Sequence, residues 1–129
     1  MTGTDEGSIT AMTAAVVGGF VLMLALVVGG AAVLRARTDA FGTAAAAARA
    51  GAQQLDEDAL ARGEVVLDAG GAEEAAQTYL AVHGADGAVS ISGADVIVTV
   101  SETVPIPQLG QSVSISATAT VSAIKGAVE

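Results

Sequence analysis

The sequence predicts an α+β fold: a long N-terminal membrane helix that continues into an amphipathic helix, a short second helix, and a three-stranded antiparallel sheet. Three observations predict this order. A charge-free run extends from Gly7 to Leu34, a helical spacing of apolar residues then continues to about residue 60, and the C-terminal third alternates strictly between apolar and polar residues. The spacing of apolar residues therefore changes once along the chain, from the helical period to the strand period.

The apolar run is long enough to cross a membrane. About 20 apolar residues span the hydrocarbon layer as a helix, and the run predicts a transmembrane helix over residues 8–36. A removable secretory signal fits less well, because Asp5 and Glu6 stand where its basic residues should be and the apolar stretch is too long. A soluble core helix of this length would carry a polar face.

Small residues recur four apart within this run, a spacing that lets helix backbones approach closely in lipid. An Ala- and Gly-rich segment also produces such pairs by chance. The spacing predicts helix packing at Ala14, Ala15, Gly18, Gly19, Ala25 and Gly29, with a further small pair at Ala32 and Ala36.

Beyond residue 37 the helical pattern becomes amphipathic. A narrow apolar stripe is formed by Phe41, Ala45, Ala48, Ala52, Leu55 and Ala59. No proline interrupts it, and Gly63 is a natural stop, so we expect one helix to continue over residues 37–62. A second helix is predicted over residues 72–83, and His83 is expected to be half-buried at its end. One face of this helix carries Ala72, Ala75, Ala76, Tyr79, Leu80 and His83.

Three strands follow, at residues 88–92, 95–104 and 112–124. The letters SGAD between the first two predict a hairpin turn. Pro105 and Pro107 interrupt the path to the third strand, because proline cannot donate to a strand ladder. The sheet would have one apolar face and one Ser/Thr face, and the Phe41 stripe and the second helix are the candidates to cover the apolar face.

Composition and motifs exclude several functions. The net charge of −9 and the lack of a basic stripe argue against nucleic-acid binding. The chain has no cysteine, and His83 is its single histidine, which argues against a metal site or an activated nucleophile. The acids Asp56, Glu57 and Asp58 are interpreted as a solvated helix face rather than a cation site. We expect no enzyme, no cofactor and no metal.

In this order, four stretches of the chain resemble the TadE/TadG-like proteins of tight-adherence (Flp-type) pili, and particularly their short actinobacterial members. They are DEGSITAMTAAVV at the start, the Ala-rich LRARTDAFGTAAAAARAGAQQLD, VIVTVSETVPIPQLG, and the closing strand QSVSISATATVSA. The resemblance implies a type IV pilin-like membrane protein whose partners are the lipid bilayer and other pilin or pilus-assembly subunits.

The same resemblance implies a cut by a prepilin peptidase after Gly7, which makes Ser8 the first mature residue and residues 1–7 a leader-like segment. Two departures matter. Met12 stands where pilins carry a Glu that pairs with a neighbouring N-terminal ammonium, and Glu6 stands where an Arg is usual. An unpaired charge in an apolar bundle is costly, so the missing carboxylate favours a minor subunit over a filament shaft.

The topology has two opposing indications. Arg35 and Arg37 follow the apolar run, and by the positive-inside rule they would place the C-terminal side in the cytoplasm. The resemblance implies the reverse, with residues 37–129 as an extracytoplasmic domain on the cytoplasmic (inner) membrane, and this is the orientation we expect. Two alternatives to a minor pilin or pseudopilin stay open: a permanently anchored cell-envelope protein that binds a partner, and a secreted domain released from its signal.

Overall fold

The computed structural model describes residues 2–123, and the side chains of residues 7–107 and 109–123. It shows the predicted α+β layout of a long helix, short helical elements and a three-stranded sheet. The elements in chain order are α1 (Thr2–Ala52), α2 (Glu57–Ala61), α3 (Ala69–Val82), β1 (Asp86–Ser92), β2 (Asp95–Ile106), a 3-10 turn (Pro107–Leu109) and β3 (Gln111–Ser122). Residue 1 of the predicted leader and residue 124 of the predicted third strand lie outside the described residues.

α1 runs without interruption from the apolar segment into the globular part of the protein. It has 51 residues, which at about 1.5 Å per residue is a rod of roughly 75 Å. The predicted continuation of this helix to residue 62 is wrong, because the helix ends at Ala52. The amide of Gln54 bonds to the carbonyl of Gly51, which tightens the last turn.

After Ala52 the backbone pairs with a later segment of the chain instead of continuing as a helix. The amide of Asp56 donates to the carbonyl of Val66 at 2.8 Å, and the amide of Asp68 donates to that of Gln54 at 2.9 Å. These bonds flank an antiparallel bridge between Leu55 and Leu67. The backbone N–H and C=O groups of these two segments would otherwise be unpaired, and they thereby form hydrogen bonds with each other.

The sheet has the order β1-β2-β3 and is antiparallel throughout. Gly93 has a φ of +62° in the two-residue turn between β1 and β2, a conformation that glycine adopts without steric cost. β2 reaches Ile106 and β3 begins at Gln111, so the hairpin is longer than predicted and Pro105 lies within β2, paired with Ser112. β1 pairs only with Asp95–Ser101 of β2, which leaves the far end of the hairpin two strands wide.

The core is built from small side chains, and α1 covers the sheet with a different face from the predicted one. Phe41, which leads the predicted stripe, is 52% exposed. Of the rest of that stripe within α1, Ala48 is buried, and Ala45 and Ala52 are partly buried against the core. The face that packs on the sheet carries Ala40, Ala44, Ala47, Ala48 and Gly51.

Backbone distance is the reason for this change of face. A Cβ built on Gly51 would stand 2.8 Å from the carbonyl oxygen of Ala72 and 3.1 Å from Cγ1 of Val96. At such a spacing only a hydrogen fits at position 51 without a shift of the backbone, and a phenyl ring has no room on this face. Opposite α1, Val96 and Val98 of β2 are fully buried, and α3 contributes Ala72, Ala76 and Leu80, as its predicted apolar face required.

β2 lies along α1 and antiparallel to it. Gly51 of α1 approaches Val96, and at the other end a Cβ built on Gly29 would stand 3.7 Å from Cγ2 of Ile106. The 22 residues between the two glycines cover about 33 Å of helix, and the ten residues between Val96 and Ile106 cover about 33 Å of strand. The sheet therefore follows the helix axis and extends down to the apolar segment.

Candidate membrane-anchoring surface and hairpin tip

The N-terminal part of α1 is exposed along its described length. Every side chain from Gly7 to Leu24 is exposed, and large apolar ones dominate, among them Phe20 at 68% and Met12 at 71% exposure. The hydroxyl of Thr13 donates to the carbonyl of Ile9 at 2.8 Å, so this polar group is satisfied within the helix. Such a surface is stable in an apolar surrounding and unfavourable in water.

By length and composition, α1 can cross a membrane. From Gly7 to Ala52 its most apolar stretch has a mean hydropathy of 2.5, and none of that stretch is buried within the protein. A soluble core helix and an N-terminal signal sequence can also pass a test of length and composition. A soluble core helix would be mostly buried, whereas this apolar stretch of α1 is exposed.

The predicted helix-packing residues fall into two groups. Ala14, Ala15, Gly18 and Gly19 lie on the bare helix, and the two glycines have open space around them. Ala25 and Gly29 are half-buried, because the β2–β3 hairpin reaches them. The second pair is therefore used within the chain, and packing against another helix stays a prediction for the first group.

The predicted cleavage position lies on the same bare surface. Gly7 and Ser8 are both exposed residues of α1, and no atom stands within 4 Å of a Cβ built on Gly7. Cleavage between them stays a prediction.

The end of the β2–β3 hairpin and the apolar part of α1 form a groove of about 530 Å³. We define the hairpin tip as residues 103–113. Its Ile106, Leu109 and Val113 form one wall, and Leu109 is 60% exposed. The helix wall is lined by Leu22, Ala25, Leu26, Gly29, Gly30 and Val33. None of the described residues that line this groove is charged.

A second, polar cleft of about 410 Å³ lies where α1 meets the start of β1 and the middle of β2. Asp39, Asp86, Glu102 and His83 line it among others. His83 is exposed and not half-buried as predicted. Its ring stacks on Tyr79 with centroids 4.1 Å apart, and its Nδ1 lies 2.9 Å from the carbonyl oxygen of Tyr79, which requires that nitrogen to donate.

The described residues hold no group of His, Cys, Asp and Glu suited to a metal, and no buried polar or charged side chain. Asp56 has a structural role that the sequence reading missed. Its carboxylate accepts from the amides of Asp58 at 2.9 Å and Ala59 at 3.2 Å and so caps α2. An Asp followed by acids in the first turn is the sequence signal that could have revealed this cap.

Set beside known proteins, the chain matches no protein-family model, no curated protein and no solved structure.

Proposed function

We propose that this chain is a single-pass membrane protein that acts as a minor pilin or pseudopilin, a structural subunit of a tight-adherence (type IV-like) pilus or secretion system, without a catalytic role. The supporting observation is the division of α1. Its first half is a bare apolar rod, and its second half forms one layer of a small α+β domain. Because both halves belong to one helix, the domain keeps a fixed orientation relative to the surroundings of the apolar rod.

The bare half of α1 supports assembly as well as anchoring. Gly18 and Gly19 have open space around them, so a second helix could approach the backbone closely there. Met12 is exposed on the same half and carries no carboxylate to pair with a neighbouring ammonium. This supports a minor position rather than a repeated shaft subunit.

Mass spectrometry of the mature N-terminus tests the assignment. We expect a chain that begins at Ser8, recovered in the membrane and in sheared surface filaments. Gly7→Val should abolish the shortened form, and Gly42→Val, at another open position of α1, should leave it unchanged. An intact Met1 together with absence from sheared filaments would contradict a filament subunit.

Protease digestion of intact spheroplasts tests the proposed orientation. With an extracytoplasmic C-terminal domain, external protease removes residues beyond α1. Protection of the domain would instead support the orientation indicated by Arg35 and Arg37.

A permanently anchored envelope protein that binds a partner is the second candidate. The polar cleft at Asp39, Asp86 and Glu102 favours it, because this acidic surface is open and these carboxylates form no ion pair with another described residue. Fractionation separates the two candidates, since the anchored protein would stay in the membrane fraction when filaments are sheared away.

A further inference from the structure

We propose that the hairpin tip enters the bilayer beside α1 and that the apolar groove between them is filled by a lipid acyl chain. This inference rests on the proposed membrane anchoring. It adds a second point of attachment, in the leaflet on the side of the domain.

The first argument is depth. The charge-free run from Gly7 to Leu34 has 28 residues, and a hydrocarbon layer of about 30 Å takes up about 20 of them. Wherever that window of 20 is placed within the run, it contains residues 15–26. Leu22, Ala25 and Leu26 of the groove wall are then in hydrocarbon in every placement, so the end of the groove that they line opens to acyl chains.

The second argument is the position of the nearest charges. Arg35 is the first charged residue after the run, and it lies six residues, or about 9 Å, above Gly29, which the tip contacts. On β2 the nearest charge is Glu102, four residues or about 13 Å above Ile106. The headgroup layer is only about 5–7 Å thick on each side. With both charges kept in water, the tip reaches the hydrocarbon boundary.

The third argument is the chemistry of the tip. It has no charged residue, although the chain carries 14 acids. Pro105 and Pro107 lack the amide hydrogen that would need a partner in an apolar medium. The amide of Gly110 bonds to the carbonyl of Pro107 at 3.3 Å. At positions 105, 107 and 110 no backbone donor is therefore left unpaired, and Leu109 is exposed at the turn.

Because the chain has no cysteine, single cysteines carrying an environment-sensitive fluorophore can test this in the full-length protein. The protein is reconstituted at high dilution in phosphatidylcholine vesicles. Quenching is measured with spin-labelled lipids and with aqueous iodide. Leu109→Cys reports on the tip, Leu60→Cys on a comparably exposed leucine in α2, and Leu24→Cys on the bare helix.

We expect Leu109→Cys to be quenched by lipids labelled near the headgroup and to be several-fold less sensitive to iodide than Leu60→Cys. Lipid quenching at residue 24 with full iodide access at residue 109 would overturn the inference and leave the membrane anchor intact. Absence of lipid quenching at residue 24 would refute the anchor itself, and the inference with it. Shielding of residue 109 from both quenchers would assign the groove to another protein segment and overturn the lipid occupant.

Discussion

Replacing Gly51 by alanine tests the close packing between α1 and the rest of the domain. The new methyl group would stand 2.8 Å from the carbonyl oxygen of Ala72, a backbone atom that no side-chain rotation can move away. It would also stand 3.1 Å from Val96, which is fully buried. Either α1 or α3 must shift by several tenths of an ångström for the methyl group to fit.

Overpacking of this kind costs roughly 1–3 kcal/mol. Alanine recovers part of it, since it is favoured over glycine by up to about 1 kcal/mol inside a helix and by less in a last turn. We therefore expect Gly51→Ala to lower the free energy of unfolding by about 1–2 kcal/mol. Gly42 is the matched control in the same helix, because its Cβ would meet nothing within 4 Å. Gly42→Ala should raise the free energy of unfolding by up to about 1 kcal/mol.

The measurement is thermal unfolding of the full chain in detergent micelles, followed by the near-ultraviolet circular dichroism of Tyr79, the single tyrosine. One kcal/mol shifts the Tm of a domain of this size by roughly 4–8 °C, so the two variants should separate clearly and in opposite directions. Equal stabilisation by both substitutions would refute the packing of α1 against α3 described above.

Three further changes follow from the same contacts and use the same measurement. Val98→Ala should lower the free energy of unfolding by about 2 kcal/mol, because it removes two methyl groups from a fully buried position, whereas Val82→Ala, at a 77% exposed position, should stay within about 0.5 kcal/mol. Asp56→Ala should lower the free energy of unfolding by about 1 kcal/mol through loss of the α2 cap, and Asp56→Asn should retain most of the stability that the cap contributes. Equal losses of stability in the two variants would show that charge and not the cap matters. Arg62→Ala should change stability by less than about 0.5 kcal/mol, because its 3.9 Å ion pair with Glu64 is mostly exposed.

Much of the fold could be predicted from periodicity. The alternation along β2 and β3 placed Val96, Val98 and Val100 on the buried face, and the turn at Gly93 joined the first two strands as expected. Local sequence carries this information, since side chains two apart share one face of a strand. The position of α3 followed from its helical spacing in the same way, although the helix begins at Ala69 and not at residue 72.

The end of α1 could not be predicted in this way. No proline or change of period marks Ala52, and the residues that follow it are compatible with helix. What ends the helix is pairing with a segment about twelve residues later, where Leu55 bridges Leu67. That competition between helix and bridge is decided by tertiary contacts, which a local pattern does not contain.

The covering face of α1 was misjudged for a different reason. The sequence pattern favoured Phe41 because phenylalanine is hydrophobic. The short distance between helix and sheet instead requires small side chains, and alanine is the abundant small residue throughout this part of the helix. When five consecutive residues are alanine, as from Ala44 to Ala48, apolar spacing alone does not identify a face. The glycine at position 51 was a better indicator than the phenylalanine, since its missing side chain permits the close approach.

The shared helix also joins the bare half of α1 to the α+β domain without a break. The change in composition near residue 37 lies inside α1, and the residues that face the hairpin and the sheet form one stripe across it, from Ala25 and Gly29 through Ala36 and Ala40 to Gly51. Between Ala31 and Phe41 the helix contains neither glycine nor proline, the residues at which helices bend most readily. The tilt of α1 in a membrane or bundle would therefore set the orientation of the sheet.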